Sequence, residues 1–286
     1  MMFPHDRNPP IAGVLLALLF PLLAMMPARL AGQTLYATVL GNQKYVVGSS
    51  TLHSGLFRSS DTGRTWEHLG PENLKTYSMD AIDSSRGRIL YIAAGNGVHR
   101  STDFGRTWKI ITGWRMTEVM DLAVDQRDPR TIYAATAFGF WRSTDGGTTW
   151  ENPAGLLAER YVRAVKIHDG EIAATGSDTL YRSNDRGTTW RATARITDRQ
   201  YDTAVIGRWR YTAGVKGIAK TSTDNPGQPV DITDDLPNRV VHAIATVGDA
   251  LIAGTFGDGL FRLKGGSWKP SGLPGSQIWR LVVKPW

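Results

Sequence analysis

SSDTGRTW, from Ser59 to Trp66, decides the fold because it returns. It reappears as STDFGRTW from Ser101 to Trp108, as STDGGTTW from Ser143 to Trp150 and as SNDRGTTW from Ser183 to Trp190. The aspartates Asp61, Asp103, Asp145 and Asp185 stand 42, 42 and 40 residues apart. A fixed period of this length marks solenoids, propellers or arrays. Within each phrase the residue types suit a turn. Aspartate accepts hydrogen bonds from backbone amides of its own loop. Gly63, Gly105, Gly147 and Gly187 supply a positive φ. Trp66, Trp108, Trp150 and Trp190 are large enough to plug a gap between neighbouring units. A fifth copy, STDNPGQPV, keeps Asp224 but sets Pro226 where glycine is expected; a sixth, KGGSW, keeps only Gly266 and Trp268.

The sequence between the phrases identifies the unit. In Val119 to Pro153, VMDLAVD, TIYAATA and GFWRSTD read as three successive strands, and GGTTWENP turns into a short fourth. Aromatic and β-branched residues dominate, and Gly, Asp and Asn punctuate. Four antiparallel strands per period make a propeller blade. The sequence therefore predicts an all-β chain folded as a single β-propeller of four-stranded antiparallel blades over residues 33–286. Its periods fall at 34–70, 76–113, 118–155, 161–195, 201–235 and 240–272. Six blades are expected, with 34–70 read as complete. A last strand, IWRLVVK at Ile278 to Lys284, is suited to latching the termini, since closure removes sheet edges. Seven blades, the last assembled from both ends of the chain, is the alternative.

The phrase S-x-D-x-G-x-T-W resembles the Asp-box, or BNR repeat. That repeat occurs in sialidases, sortilin-type receptors, some glucan hydrolases and the photosystem II assembly and stability-factor propellers. The resemblance covers nearly all of residues 34–286. It implies that the turns lie at the blade periphery, away from the central tunnel, and that their role is structural. A calcium loop fits poorly, because each phrase carries one carboxylate and a hard cation takes six or more oxygens.

Residues 1–32 read as a signal peptide. Arg7 precedes the sixteen uncharged residues Ile11 to Met26, and PARLAGQ follows. That pattern suits export, with cleavage after Ala28, Ala31 or Gly32. The run is short for a membrane span, which takes about twenty residues, so an uncleaved anchor is the alternative. The protein is expected to be secreted or extracytoplasmic. It has no cysteine, so disulfides, thiol catalysis and cysteine–zinc sites are excluded. The net charge of +7 is spread without a Lys/Arg run, so no nucleic-acid partner is expected.

Propeller ligands gather chiefly at one tunnel end, where loops enter the first strand and join the second to the third. The entry loops carry Trp114, Arg115, Arg160, Tyr161, Arg163, Arg199, Tyr201, Arg239, His242, Trp279 and Arg280. The second set of loops offers His53, Phe138, Phe256 and Asp258. Arginine recognises carboxylates in a bidentate manner, and aromatics anchor contact surfaces. This rim is expected to bind a protein or an anionic segment, with a glycan as a further possibility.

Three function classes follow. The first is an exported, non-catalytic binding or scaffold module, similar to the assembly-factor propellers in size, leader and turn regularity. The second is a sialidase-like or other glycoside hydrolase. That family uses an arginine trio, a tyrosine nucleophile paired with glutamate, and an acid/base aspartate. Here the early Arg-Ile-Pro-type motif is missing, GLFRSS stands in its place, and Glu118 and Asp202 are the only acids to nominate. The third is an adhesion propeller without a discrete pocket. No phosphate loop, HExxH motif or nucleophile elbow is present, so no cofactor, metal or catalytic set is assigned.

Overall fold

A computed structural model of the protein describes residues 33–42, 54–84, 87–153, 155–196, 200–225 and 227–285. The segment read as a signal peptide, His53 and Arg199 lie outside them. The described chain is a six-blade β-propeller. Blades 2, 4, 5 and 6 each run from the inner to the outer strand in chain order. Their inner strands are Thr76–Ser84, Ala164–His168, Gln200–Ile206 and Val241–Val247. Blade 3 pairs Val119–Val124, Ile132–Thr136 and Gly139–Ser143, and its outer strand shrinks to one bridge between Arg142 and Glu151.

Blade 1 corrects the reading of 34–70 as complete. Its inner strand is the C-terminal Ser276–Pro285, which pairs antiparallel with Gln33–Asn42; Gly55–Ser59 and Glu67–Leu69 follow outward. Chain alternation cannot reveal this, because Gln33–Asn42 is buried on both faces wherever it sits in the blade. The last strand is therefore a latch and a constituent at once.

The repeated turns explain their own residues. Asp61 Oδ1 accepts from the amides of Arg64 at 3.0 Å and Thr65 at 2.9 Å, and Oδ2 accepts from the Thr65 hydroxyl at 2.7 Å. Ser59 Oγ donates to Asp61 and accepts from the Gly63 amide at 2.8 Å. The corresponding bonds to the aspartate and serine recur at Asp103, Asp145 and Asp185. The glycines are required twice over. Gly147 has a φ of 87° and Gly187 of 82°, and a Cβ there would collide with the Ile111 side chain and the Phe140 ring of the preceding blade.

The tryptophans fill the seams. Trp66, Trp108, Trp150, Trp190 and Trp268 each pack into an apolar cluster shared with the preceding blade. Three of them also donate Nε1–H across the seam: Trp66 to the Ser271 carbonyl at 3.0 Å, Trp150 to Ile111 at 2.9 Å and Trp268 to Ile232 at 2.6 Å. Blade 5, whose phrase has lost its tryptophan, breaks the pattern. Among the described residues no such cluster joins blades 4 and 5. Nearer the axis, inner-strand carboxylates stitch blade to blade. Asp80 accepts from the Val124 amide at 2.8 Å, Asp121 from Val165 at 3.2 Å and Asp202 from Ile244 at 3.0 Å.

The turns predict an acid transition. Hydrogen bonds from Thr107, Thr149 and Thr189 hold Asp103, Asp145 and Asp185 at about 2, against an ordinary 3.8. A carboxylate with a depressed folded-state pKa stabilises above its unfolded value, and that contribution is lost as pH falls through the folded value. Melting temperature should hold from neutral pH down to about 4 and fall between about 4 and 2. Replacing the three threonines with valine should shrink that fall in circular-dichroism melts. An unchanged fall would remove these turns as its source.

Candidate functional site

Alternating strand direction sorts the loops between two ends. Loops entering the inner strands, and those joining second to third strands, share one mouth of the tunnel. The repeated turns lie at the other end. At the shared mouth five inner strands break register just after they begin. The breaks fall at Thr76/Ser78, Val119/Asp121, Gln200/Asp202, Val241/Ala243 and, in blade 1, opposite Thr38/Val39. The extra residues are Tyr77, Met120, Tyr201, His242 and Trp279. A bulge re-aims the side chain it carries, so this repeated irregularity presents one residue per blade at the same level.

Four of those residues are rings, and they touch. His242 stacks on Tyr201 with centroids 4.2 Å apart, meets Phe256 at 4.8 Å and Trp279 at 4.6 Å. Trp279 meets Tyr77 edge-on at 5.8 Å and Phe256 at 6.5 Å. Burial pushes His242 down to about 4, and the Arg163 charge adds to that, so the imidazole is neutral at physiological pH. The Tyr77 hydroxyl donates to Glu118 Oε2 at 2.9 Å. Burial and that carboxylate push the Tyr77 phenol up to about 12. Glu118 itself sits at a φ of 48°, a left-handed conformation unusual for a non-glycine residue.

Outside this cluster the mouth carries exposed rings. Trp114 is 85% exposed, with the Arg115 guanidinium over it at 5.6 Å; Phe138 is 59% and Tyr161 39% exposed. Arg115 and Arg160 are exposed, and Arg163 is half-buried. Asp258 lies in the blade 6 loop beside Phe256, its amide donating to Thr255 Oγ1.

Two arginines take other roles. Arg239 pairs with Asp231 and donates to the Lys216 carbonyl at 3.0 Å, tying blade 5 to the entry of blade 6. Arg280 turns inward and meets Asp121 at 3.1 Å. Asp121 is fully buried and also accepts from Ser78 Oγ at 2.5 Å and from the Leu122 amide at 3.0 Å, with Lys166 at 3.5 Å. Burial opposes its ionisation, but the charges of Arg280 and Lys166 outweigh that and hold its carboxyl below the usual range. Asp202, nominated with Glu118 in the sequence, is pushed up by burial despite Arg280 and two amides. Sequence reasoning missed Tyr77 and Met120, although each occupies the place held by Tyr201 and His242 in its own period. Among the described residues no His, Asp and Glu cluster is placed to hold a metal ion, and no helix is long and apolar enough to cross a membrane.

The surface is thus an aromatic floor set in a cationic, ring-bearing rim above a buried ionic network, in which Arg280 Nε has no hydrogen-bond partner among the described residues. It offers stacking, apolar contact and carboxylate pairing in one place. No family model matches the chain, and no curated protein matches it. Among solved structures, a chain of a nidogen–laminin complex superposes with a TM-score of 0.58 at 12% identity, over 88% of this chain and 98% of that one. An ancestral GH74 enzyme gives 0.45 at 17%, over 81% of this chain and 35% of its own. The extracellular domain of a one-component system of B. thetaiotaomicron gives 0.45 at 15%, over 70% and 28%. The likeness to the first of these shows the propeller fold alone.

Proposed function

We propose that the chain is an exported, non-catalytic Asp-box-type propeller that binds a protein partner through this mouth, engaging an acidic or carboxylate-bearing segment. The contact cluster of Tyr77, Tyr201, His242, Phe256 and Trp279 carries the reading, since four of these rings occupy one bulge position in neighbouring blades and Phe256 packs among them. Exposed Trp114 and Tyr161 extend it as anchors, and Arg115, Arg160 and Arg163 supply charge for the acidic segment. Aromatic and arginine anchors dominate binding energy at protein interfaces. Arg280 and Arg239 belong to the supporting structure in this reading. The N-terminal apolar segment directs the chain out of the cytoplasm.

A Trp114→Ala/Tyr161→Ala/Arg160→Glu variant tests it. All three side chains are exposed, so its melting temperature should match wild type. Recovery of the partner captured by wild type from the native extracytoplasmic fraction should fall at least tenfold, as expected when anchors worth roughly 2 kcal/mol each are lost. Equal recovery would refute the reading.

One observation favours the hydrolase as the second reading: Tyr77 and Glu118 are hydrogen-bonded at the tunnel mouth, and a tyrosine–glutamate pair is what a sialidase-like site requires. Sugar release from a glycan panel that Tyr77→Phe abolishes would put that reading first.

A further inference from the structure

At the far end of the propeller, a cleft of about 720 Å³ opens between blades 6 and 1. Arg64, Arg262, Lys264 and Lys269 line it against one carboxylate, Asp249. Among the described residues no carboxylate pairs with any of the four cations. Comparison with the other blades shows how the local chemistry differs. The third strands of blades 1, 2, 3, 4 and 6 carry an arginine at one register position, and in blades 2, 3 and 6 it reaches the next blade's turn. Arg100 donates to the Gly146 carbonyl at 2.9 Å, Arg142 to Arg186 at 2.7 Å and Arg262 to Thr62 at 3.2 Å. Opposite it, on the fourth strand, blades 1 and 3 place Glu67 and Glu151, each 2.6 Å from its arginine. Blade 6 places Lys269 opposite Arg262 instead.

Like charges directly opposed across a strand pair destabilise it. Blade 6 adds Lys264 on one side and blade 1 adds Arg64 on the other. Blade 6 lacks the long turn, and its outer hairpin closes through Gly265 and Gly266 alone, at φ values of 58° and 84°. The neighbouring blade 1 turn is held on blade 6 by Arg262 at Thr62 and by Ser271 Oγ, which donates to the Gly63 carbonyl at 2.8 Å, while Arg64 beside them is exposed on the cleft. Blade 2 also opposes two cations, Arg100 and Lys109, but keeps its full turn.

From this the geometry points to the cleft between blades 6 and 1 as a binding site for a multiply charged tetrahedral oxyanion, a phosphate or sulfate ester bearing two or more such groups. Arg262 is oriented by Thr62 and supplies a planar fork, which matches phosphate and sulfate oxygens. Lys264 and Lys269 add exposed point charges, and Arg64 an exposed guanidinium, to the lining of the same cleft. Several cations around one concavity favour a ligand whose charges are linked, because each further contact is intramolecular. This site is independent of the aromatic mouth, so either can fail without the other.

Calorimetric titration of the full-length exported protein with tripolyphosphate and with a heparin-derived tetrasaccharide tests the assignment. At low salt wild type should bind at least one probe, and 0.5 M NaCl should abolish binding, since a screening length near 3 Å is reached at about 1 M. Lys264→Gln/Lys269→Gln should weaken binding at least tenfold. Lys109→Gln, the same cross-strand change without the cleft, and Trp114→Ala should leave it within twofold. Preference for tripolyphosphate identifies a phosphate ligand, and preference for the tetrasaccharide a sulfated glycan. Binding of neither probe by wild type would overturn the inference, and so would equal weakening by Lys109→Gln.

Discussion

A chain cut after Gly275 should lose cooperative unfolding. The cut removes the strand Ser276–Pro285, which is the inner strand of blade 1. Eight registered partners on Gln33–Asn42 lose their ladder. Ile278 and Leu281 leave the cluster that closes blades 6 and 1, at about 1.5–3 kcal/mol each for side chains of that size. Arg280 leaves Asp121 without its guanidinium. The bared edge of Gln33–Asn42 then becomes a template for pairing with another chain. Those losses together approach the whole stability of an ordinary domain, about 5–15 kcal/mol. The seam between blades 4 and 5, which has no shared apolar cluster among the described residues, offers a second place for the ring to part. Urea unfolding followed by tryptophan fluorescence should show a broad, low-midpoint transition and a reduced m-value. A single sharp transition at the wild-type midpoint would mean that the latch is dispensable.

The second large effect lies below the aromatic floor. Arg280→Met should destabilise the protein by about 3–5 kcal/mol, because it strands a fully buried carboxylate. Lys166, half-exposed and 3.5 Å away, cannot replace a guanidinium held at 3.1 Å. Removing the charge as well, in Arg280→Met/Asp121→Asn, should restore part of the loss, since the amide oxygen can still accept from the Val165 or the Leu122 amide while no buried charge is left unpaired. Denaturant midpoints at constant m-value measure both variants. A loss under about 1 kcal/mol for Arg280→Met would place the pair among weakly contributing surface bridges.

The parts of this molecule that could be read in the chain are those whose chemistry is local. Ser143, Asp145, Gly147 and Thr149 complete one another's hydrogen bonds within seven residues, so their recurrence revealed the repeat period and the turn position, while six and seven blades both remained open. Trp150 was legible as a seam filler from its size and its recurrence at one place in the repeat. Gln33–Asn42 was not placed correctly, because inner and second strands are alike in being buried on both faces and only ring closure distinguishes them. The candidate site divides along the same line. Tyr201, His242 and Trp279 stood out as large residues at strand entries. That they touch, with Tyr77 beside them, depends on bulges that no single strand encodes. Arg280 looked like Arg163 in sequence, and the difference lies in Asp121, which comes from another blade.

The central claim is that the aromatic and cationic mouth, and not the repeated turns, meets the partner. Hydroxyl-radical footprinting of the free and partner-bound protein reads both surfaces in one experiment. Phe104, 43% exposed within the second repeated turn, is the internal control at the far end. With the partner bound, oxidation of Trp114 and Tyr161 should fall severalfold while that of Phe104 stays constant. Protection of Phe104 with Trp114 and Tyr161 left as reactive as in the free protein would contradict the account.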